Sequence, residues 1–316
     1  MLLGGRDNRS PPLVSGRGTL ALAQRAEALG YDAVWVSDHI VYPATFAERF
    51  GTAVYEAITT LTWVGAVTER IRLGTAVLIL IAPYRNPLLL AKQLSTLDDL
   101  SGGRTVVGVG AGWMEEEFAA LGTPFAERGA ITDEHLQVMR TLWRDTQPAH
   151  AGERYQFPPL CADPRPAQQP APPIWIGGNS RPALRRDARL GEGWLPIWHA
   201  PTGRGFSPTD LRVEIERLAE LTEHAGRSVT QRIGGLMPLA LSHEAIAPDP
   251  LAPLVGRPDQ VVEILTAFKD AGLHHVILSP FYGVSPDRQP ADLDAVERLL
   301  ERFMHEVVTS LATSAR

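Results

Sequence analysis

Residues 71–109 read IRLGTAVLILIAPYRNPLLLAKQLSTLDDLSGGRTVVGV, and the fold follows from this stretch. Ile71 to Ile81 is apolar at nearly every position, the pattern of a parallel strand covered on both faces. Leu88 to Leu100 has the apolar spacing of a helix, and Thr105 to Val109 is a second buried strand. A helix between two buried runs implies parallel strands joined by a right-handed crossover.

The same unit recurs in both directions. Toward the N-terminus, Thr19 to Leu29 reads as a helix stopped by Gly30. It is followed by the strand Asp32 to Ser37 and the helix Tyr55 to Val67. Toward the C-terminus, helices are expected at Ile131 to Asp145, from Ser180 to near Gly191, and at Leu211 to Ala225, Pro258 to Ala271 and Leu293 to Val308. Strands alternate with them at Ile174 to Ile176, Trp194 to Ile197, Ile233 to Leu241 and His275 to Leu278. These make seven strands alternating with helices, and a closed barrel wants an eighth. Only the start has room for it, at Met1 to Leu3 or at Leu13-Val14. No linker divides two cores, so residues 1–316 read as a single domain. Gln147 to Pro173 is proline-rich without periodicity and reads as an irregular insertion.

Composition excludes several classes. Of 316 residues, 44% are hydrophobic and 21% charged, enough apolar surface for one large core. The net charge of −6 comes without a basic stripe, so no nucleic-acid partner is expected. The longest apolar run, Ala76 to Ala82, is far short of the roughly 20 residues that span a bilayer. The N-terminus carries Arg6, Asp7 and Arg9 with no signal-peptide core. One cysteine, Cys161, leaves no intrachain disulfide; it sits among prolines without a basic partner and reads as an ordinary thiol. A cytoplasmic protein is expected, off the membrane.

Three stretches carry candidate chemistry. Asp38-His39 directly follows a strand, and in a parallel barrel the C-terminal strand ends form the active-site face. A histidine there can exchange a proton near neutral pH, while an ordinary turn with a packed His39 is the plain alternative. Gly108-Val-Gly110-Ala-Gly112-Trp113 also follows a strand. Its G-x-G-x-G spacing, the acidic Glu115, Glu116 and Glu117 behind it, and the lack of a distal acidic residue argue against a dinucleotide fingerprint. Gly177-Gly178-Asn179-Ser180 opens a helix, where backbone N–H groups favour an anion and Arg181 and Arg185 add charge. A plain N-cap is the other reading. No metal-ligand spacing is present: His274 and His275 are adjacent, and His199, His224 and His243 are scattered.

Four blocks in order, at residues 26–40 (AEALGYDAVWVSDHI), 74–104 (GTAVLILIAPYRNPLLLAKQLSTLDDLSGGR), 107–118 (VGVGAGWMEEEF) and 172–194 (PPIWIGGNSRPALRRDARLGEGW), together resemble the luciferase-like monooxygenase superfamily. The resemblance is to its branch that uses the deazaflavin coenzyme F420. It implies an α/β fold, a (β/α)₈ TIM barrel with insertions at the C-terminal face. It makes His39 the leading catalytic residue, with Asp38 orienting it or touching the cofactor. It implies a non-prolyl cis peptide at Ala76-Val77 behind the cofactor ring. Gly110, Ala111, Gly112 and Trp113 would lie against that ring, and Gly177, Gly178 and Asn179 would receive the phosphate. Two features depart from the family. Trp113 stands where its sugar-phosphate dehydrogenases carry an acid, and the first strand is poorly matched. The implied activity is hydride transfer between F420 and a small organic substrate. Alternatives are an FMN-dependent two-component monooxygenase fed by a separate reductase, and a non-catalytic flavin-binding protein. A homodimer is common in the family. Specificity is expected in Tyr42 to Val54, Gln147 to Pro173 and Ala200 to Pro208.

Overall fold

The computed structural model describes residues 1–3, 15–47, 54–81, 84–198 and 205–314. Its main sheet runs β1 (Leu2–Leu3), β2 (Ala33–Val36), β3 (Arg72–Thr75), β5 (Thr105–Gly110), β8 (Ile174–Gly177), β9 (Gly193–Leu195) and β10 (Arg232–Leu241), every neighbour parallel. The strand β12 (His275–Ser279) pairs with β10 and comes round beside β1. The eight strands therefore present all their C-terminal ends to one mouth, the order of a parallel α/β barrel. A short β11 (Leu254–Gly256) adds to the end of β10.

Outside the strands stand α1 (Gly16–Ala28), α2 (Ala57–Gly65), α3 (Pro87–Leu100), α4 (Glu115–Ala120), α5 (Arg128–Arg144), α6 (Arg181–Leu190), α7 (Pro208–His224), α8 (Pro258–Asp270) and α9 (Leu293–Arg302). Alternation along each strand sorts the core. On β2, Val34 and Val36 join the cluster under the helices, while Ala33 and Trp35 face the barrel interior with Leu2, Val106, Trp175 and Leu236. Two indoles fill that interior, Trp35 and Trp175 with ring centroids 5.3 Å apart. Glycines make room for them: a Cβ on Gly74 would lie 2.3 Å from the Trp35 ring and one on Gly234 2.4 Å from Trp175.

The structure refines the sequence reading in three places. The eighth strand is Leu2–Leu3, paired with Trp35 and Val36; Leu13-Val14 lies outside the described residues. The expected run Ile71 to Ile81 is two pieces, β3 and β4 (Leu78–Ile79), interrupted by a cis peptide at Ala76-Val77. Both pieces pair with β5. Finally, Gln147 to Pro173 is not wholly irregular. It contains an antiparallel hairpin, β6 (His150–Ala151) with β7 (Gln156–Phe157). Arg154 of that hairpin bonds Glu127 and its backbone N–H bonds Glu134 at α5, and Gln168 bonds Asp98 and the Thr105 carbonyl at the N-terminal end of β5. A helix after a barrel strand runs back to the N-terminal end, so this segment starts and finishes there, while its hairpin returns along α5 to the first turns of that helix, where Tyr155 meets the His135 ring.

The interior also carries a titratable group. Trp35 Nε1–H donates to His275 Nε2 at 3.2 Å, so that nitrogen must be unprotonated. Burial, then the positive charges of the amino terminus, Arg72 and Arg232, lowers the His275 pKa to about 4, against about 6.5 for a free histidine. The unfolded chain therefore takes up this proton first. The stability this group preserves is complete above pH 6.5 and is lost as pH falls toward 4, by on the order of 2–3 kcal/mol. Urea denaturation at pH 7 and pH 4.5 should show that loss in the native chain and a smaller one in His275→Gln; equal losses in both would exclude His275 as the source.

Candidate active site

The polypeptide leaves β2 as Ser37, Asp38 and His39, all three buried at the mouth. Asp38 is committed on both oxygens. Oδ2 accepts the Ile79 N–H at 3.0 Å, and Oδ1 takes Arg85 Nη2 at 2.6 Å. Burial pushes the Asp38 carboxyl up, while Arg85 and the Ile79 N–H pull it down. Arg85 is itself buried, with Glu56 at 3.4 Å, and its carbonyl accepts from His135 Nε2 at 2.6 Å. Asp38 makes no bond to the His39 ring, so the orienting role expected for it is not where the structure puts it.

That contact belongs to Glu117 on α4. Its Oε2 lies 2.8 Å from His39 Nδ1, and its Oε1 accepts the N–H groups of Ile40 at 2.7 Å and Val41 at 3.4 Å. Both side chains are buried. Trp113 meets the His39 ring edge-on at 6.0 Å, and Tyr42 does so at 6.1 Å. Phe46 packs edge-on against Trp113, and Tyr282 joins the same cluster with Met114. His39, Ala76, Val77, Trp113, Leu236 and Tyr282 are among the residues around one cavity, with Asp38 at its edge. A cleft of about 560 Å³ opens beside it between residues 246–255 and 281–289, and Tyr282 lines both.

The glycine turns answer first to protein packing. A Cβ on Gly110 would lie 2.8 Å from Val77 Cγ2, and one on Gly177 2.6 Å from Val77 Cγ1. Gly112 has φ +82, and its Cβ would strike the Phe118 ring. Ala111 stands between them, part-buried. In the other turn, Gly178 N–H donates to the Leu195 carbonyl at 3.1 Å. The Asn179 side chain donates to the Ile197 carbonyl and accepts its N–H, and Ser180 caps α6 by accepting from Ala183. What this turn offers an anion is therefore chiefly the exposed Arg181 and Arg185 beside a helix start.

Sequence reasoning missed Glu117, Arg85 and Tyr282. A signal existed for the first: Met114, Glu117 and Phe118 share one helical face by spacing and are buried, while Glu115 and Glu116 are exposed. Of the expected specificity loops, residues 48–53 and 199–204 lie outside the described residues. Among the described residues no group of three His, Cys, Asp or Glu is placed to hold a metal, and no helix is long and apolar enough to cross a membrane.

A parallel barrel whose strand ends converge on a buried histidine and an apolar cavity has the layout of a barrel enzyme. The chain belongs to the luciferase-like monooxygenase family, whose model matches residues 4–246. It is 30% identical over 304 residues to an uncharacterised protein of Mycobacterium tuberculosis, covering 92% of this chain and 95% of the relative. An F420-dependent glucose-6-phosphate dehydrogenase of Amycolatopsis mediterranei is 27% identical, covering 93% and 94%. An FMNH₂-dependent dimethylsulfone monooxygenase of Pseudomonas putida is 30% identical over 197 residues, 61% of this chain and 52% of that one. Among solved structures, the monooxygenase RslO1 from Streptomyces bottropensis superposes with a TM-score of 0.78 at 21% identity, covering 98% and 99%.

Removing the cation from the Asp38 pair leaves a carboxylate out of water, which costs about 3–5 kcal/mol. Arg85→Met should lower stability by that amount in urea denaturation. The double variant Asp38→Asn with Arg85→Met should recover part of it. A single-variant loss under about 1 kcal/mol would show that the pair does not hold the mouth.

Proposed function

We propose that the chain is an F420-dependent oxidoreductase moving a hydride between the deazaflavin and a small organic substrate, with His39 carrying the accompanying proton. One observation carries this reading: His39 lines the mouth cavity with Nδ1 engaged by Glu117, which leaves Nε2 as the ring nitrogen for a bound molecule. The cavity itself is small, about 80 Å³, so a flat ring system would lie across its open mouth and not be enclosed by it. Its lining reaches from Leu2 and Ala76-Val77 on one side to Ile197 and Leu236 on the other, mostly apolar, and Asp38 is already neutralised by Arg85. When bound, the deazaflavin supplies the hydride chemistry. Ala76 and Val77, with the turn Gly110, Ala111, Gly112 behind Val77, would hold the ring, and Trp113 would pack on it or on the substrate. Gly177, Gly178 and Asn179 would receive the phosphate, with Arg181 and Arg185 supplying charge.

The substrate expected is a carbonyl compound, imine or activated alkene with an apolar body. Trp113, Tyr42, Phe46 and Tyr282 surround the histidine with aromatic carbon, and the cleft beyond Tyr282 gives a larger molecule room. Reduced cofactor would come from a separate reductase.

A direct test is to titrate the purified protein with oxidised F420 and, separately, with oxidised and reduced FMN, by fluorescence and calorimetry. Selective F420 binding is expected. Selective binding of reduced FMN, with oxygen uptake on substrate addition, would replace this reading by the oxygenase one. With an active substrate in hand, His39→Ala should keep cofactor affinity and lose about 100-fold or more in kcat, the usual share of general acid–base catalysis; unchanged kcat would remove His39 from the chemistry.

A further inference from the structure

We infer that Glu117 is a positioning residue that fixes the proton of His39 on Nδ1 and so reserves Nε2 for proton exchange with a bound substrate. The inference rests on the reading of His39 as the proton-carrying group and deepens it by assigning the tautomer of the ring to Glu117.

The argument is one of donors and acceptors. Glu117 Oε1 faces two backbone N–H groups, those of Ile40 at 2.7 Å and Val41 at 3.4 Å. These can only donate, so that oxygen is committed as an acceptor. Glu117 Oε2 faces His39 Nδ1 at 2.8 Å. An ionised carboxylate has no proton to give, so Nδ1 must be the donor. The neutral ring is then the Nδ1–H tautomer, with its lone pair on Nε2, and the protonated ring carries its exchangeable proton there. Which nitrogen bears the proton is set by what the other one meets. Here that partner is buried and bonded on both oxygens.

The contact also fixes geometry. Glu117 bonds the ring and the two peptide groups that follow it, so one carboxylate on α4 holds both the His39 side chain and the start of the segment leading to Tyr42. Tyr42 and Trp113 flank the ring edge-on. Asp38, the neighbour in sequence, points instead to Arg85 and Ile79. Glu115 and Glu116, the neighbours of Glu117 on α4, are exposed.

Glu117→Gln separates this role from mere packing, because the amide has nearly the carboxylate's shape. Its oxygen must stay with the Ile40 and Val41 N–H groups, so its NH₂ turns toward His39 Nδ1. Nδ1 can then only accept, and the ring proton moves to Nε2. Long-range ¹⁵N–¹H correlation spectra of histidine-labelled protein at neutral pH report the protonated nitrogen directly. The His39 signals among the nine histidines are those lost in His39→Gln. The native chain should show Nδ1 protonated and Glu117→Gln should show the proton on Nε2, with circular dichroism unchanged. With substrate, kcat should fall about 100-fold while KM moves little. An unprotonated Nδ1 in the native chain overturns the inference without needing any variant to fold, and so does an unchanged tautomer in a folded Glu117→Gln. Neither spectrum involves cofactor, so failure of the F420 reading would appear separately, in the binding titration.

Discussion

The Asp38 carboxylate is the fixed point of the mouth. One oxygen takes the N–H of Ile79 on β4 and the other takes Arg85 from the loop before α3, so the end of β2 is tied to two further elements. A charge in that position would be costly alone, and a buried pair is tolerated only where geometry and extra hydrogen bonds compensate both ions. Part of that compensation is visible: the Ile79 N–H bonds the carboxylate and Glu56 stands near the guanidinium, while His135 donates to the Arg85 carbonyl and so fixes its backbone. With β2 held there, His39, the next residue, leaves the strand in a direction already determined. Glu117 then needs to secure only the ring and the two peptides beyond it.

The fold was legible because burial on both faces leaves a plain mark. Apolar runs such as Thr105 to Val109 and Ile233 to Leu241 have no alternation to misread, and intervening helices of ordinary length leave only the crossover topology. What stayed hidden is what sequence spacing cannot carry. The interruption at Ala76-Val77 follows from no local apolar pattern; its expectation came from the family resemblance alone. The hairpin inside Gln147 to Pro173 stayed hidden too, because strands of two residues leave no periodicity to read.

The site was half legible for a related reason. Asp38 and His39 could be found because a strand end is a place, and the place has a chemistry. Their partners could not, since Arg85 is 47 residues from Asp38 and Glu117 is 78 from His39. Adjacency in the chain suggested that Asp38 serves His39. On an extended segment, however, successive side chains point to opposite sides, and here they do so, each to a carboxylate or cation from another element. The glycines taught the same lesson. Gly110 and Gly177 are forced by Val77, so their presence by itself says little about a ligand.

That last point bears on how the same barrel serves different chemistries. The glycines, the Val77 bulge and the Asp38–Arg85 pair are matters of construction and would be needed whatever lay in the mouth. The residues through which a change of reaction would act are those that line the cavity, Trp113, Tyr282, Ile197 and His39 among them. Of these, Trp113 is the informative one. An indole at that position cannot protonate a leaving oxygen, which under the proposed reading leaves His39 as the one cavity residue with a bonded carboxylate behind it to manage a proton. A reaction that needs an acid and a base on opposite sides of the substrate would have to find its second group elsewhere. Hydride transfer coupled to a single proton, as in reduction of a carbonyl or activated alkene, asks for no more than this site provides.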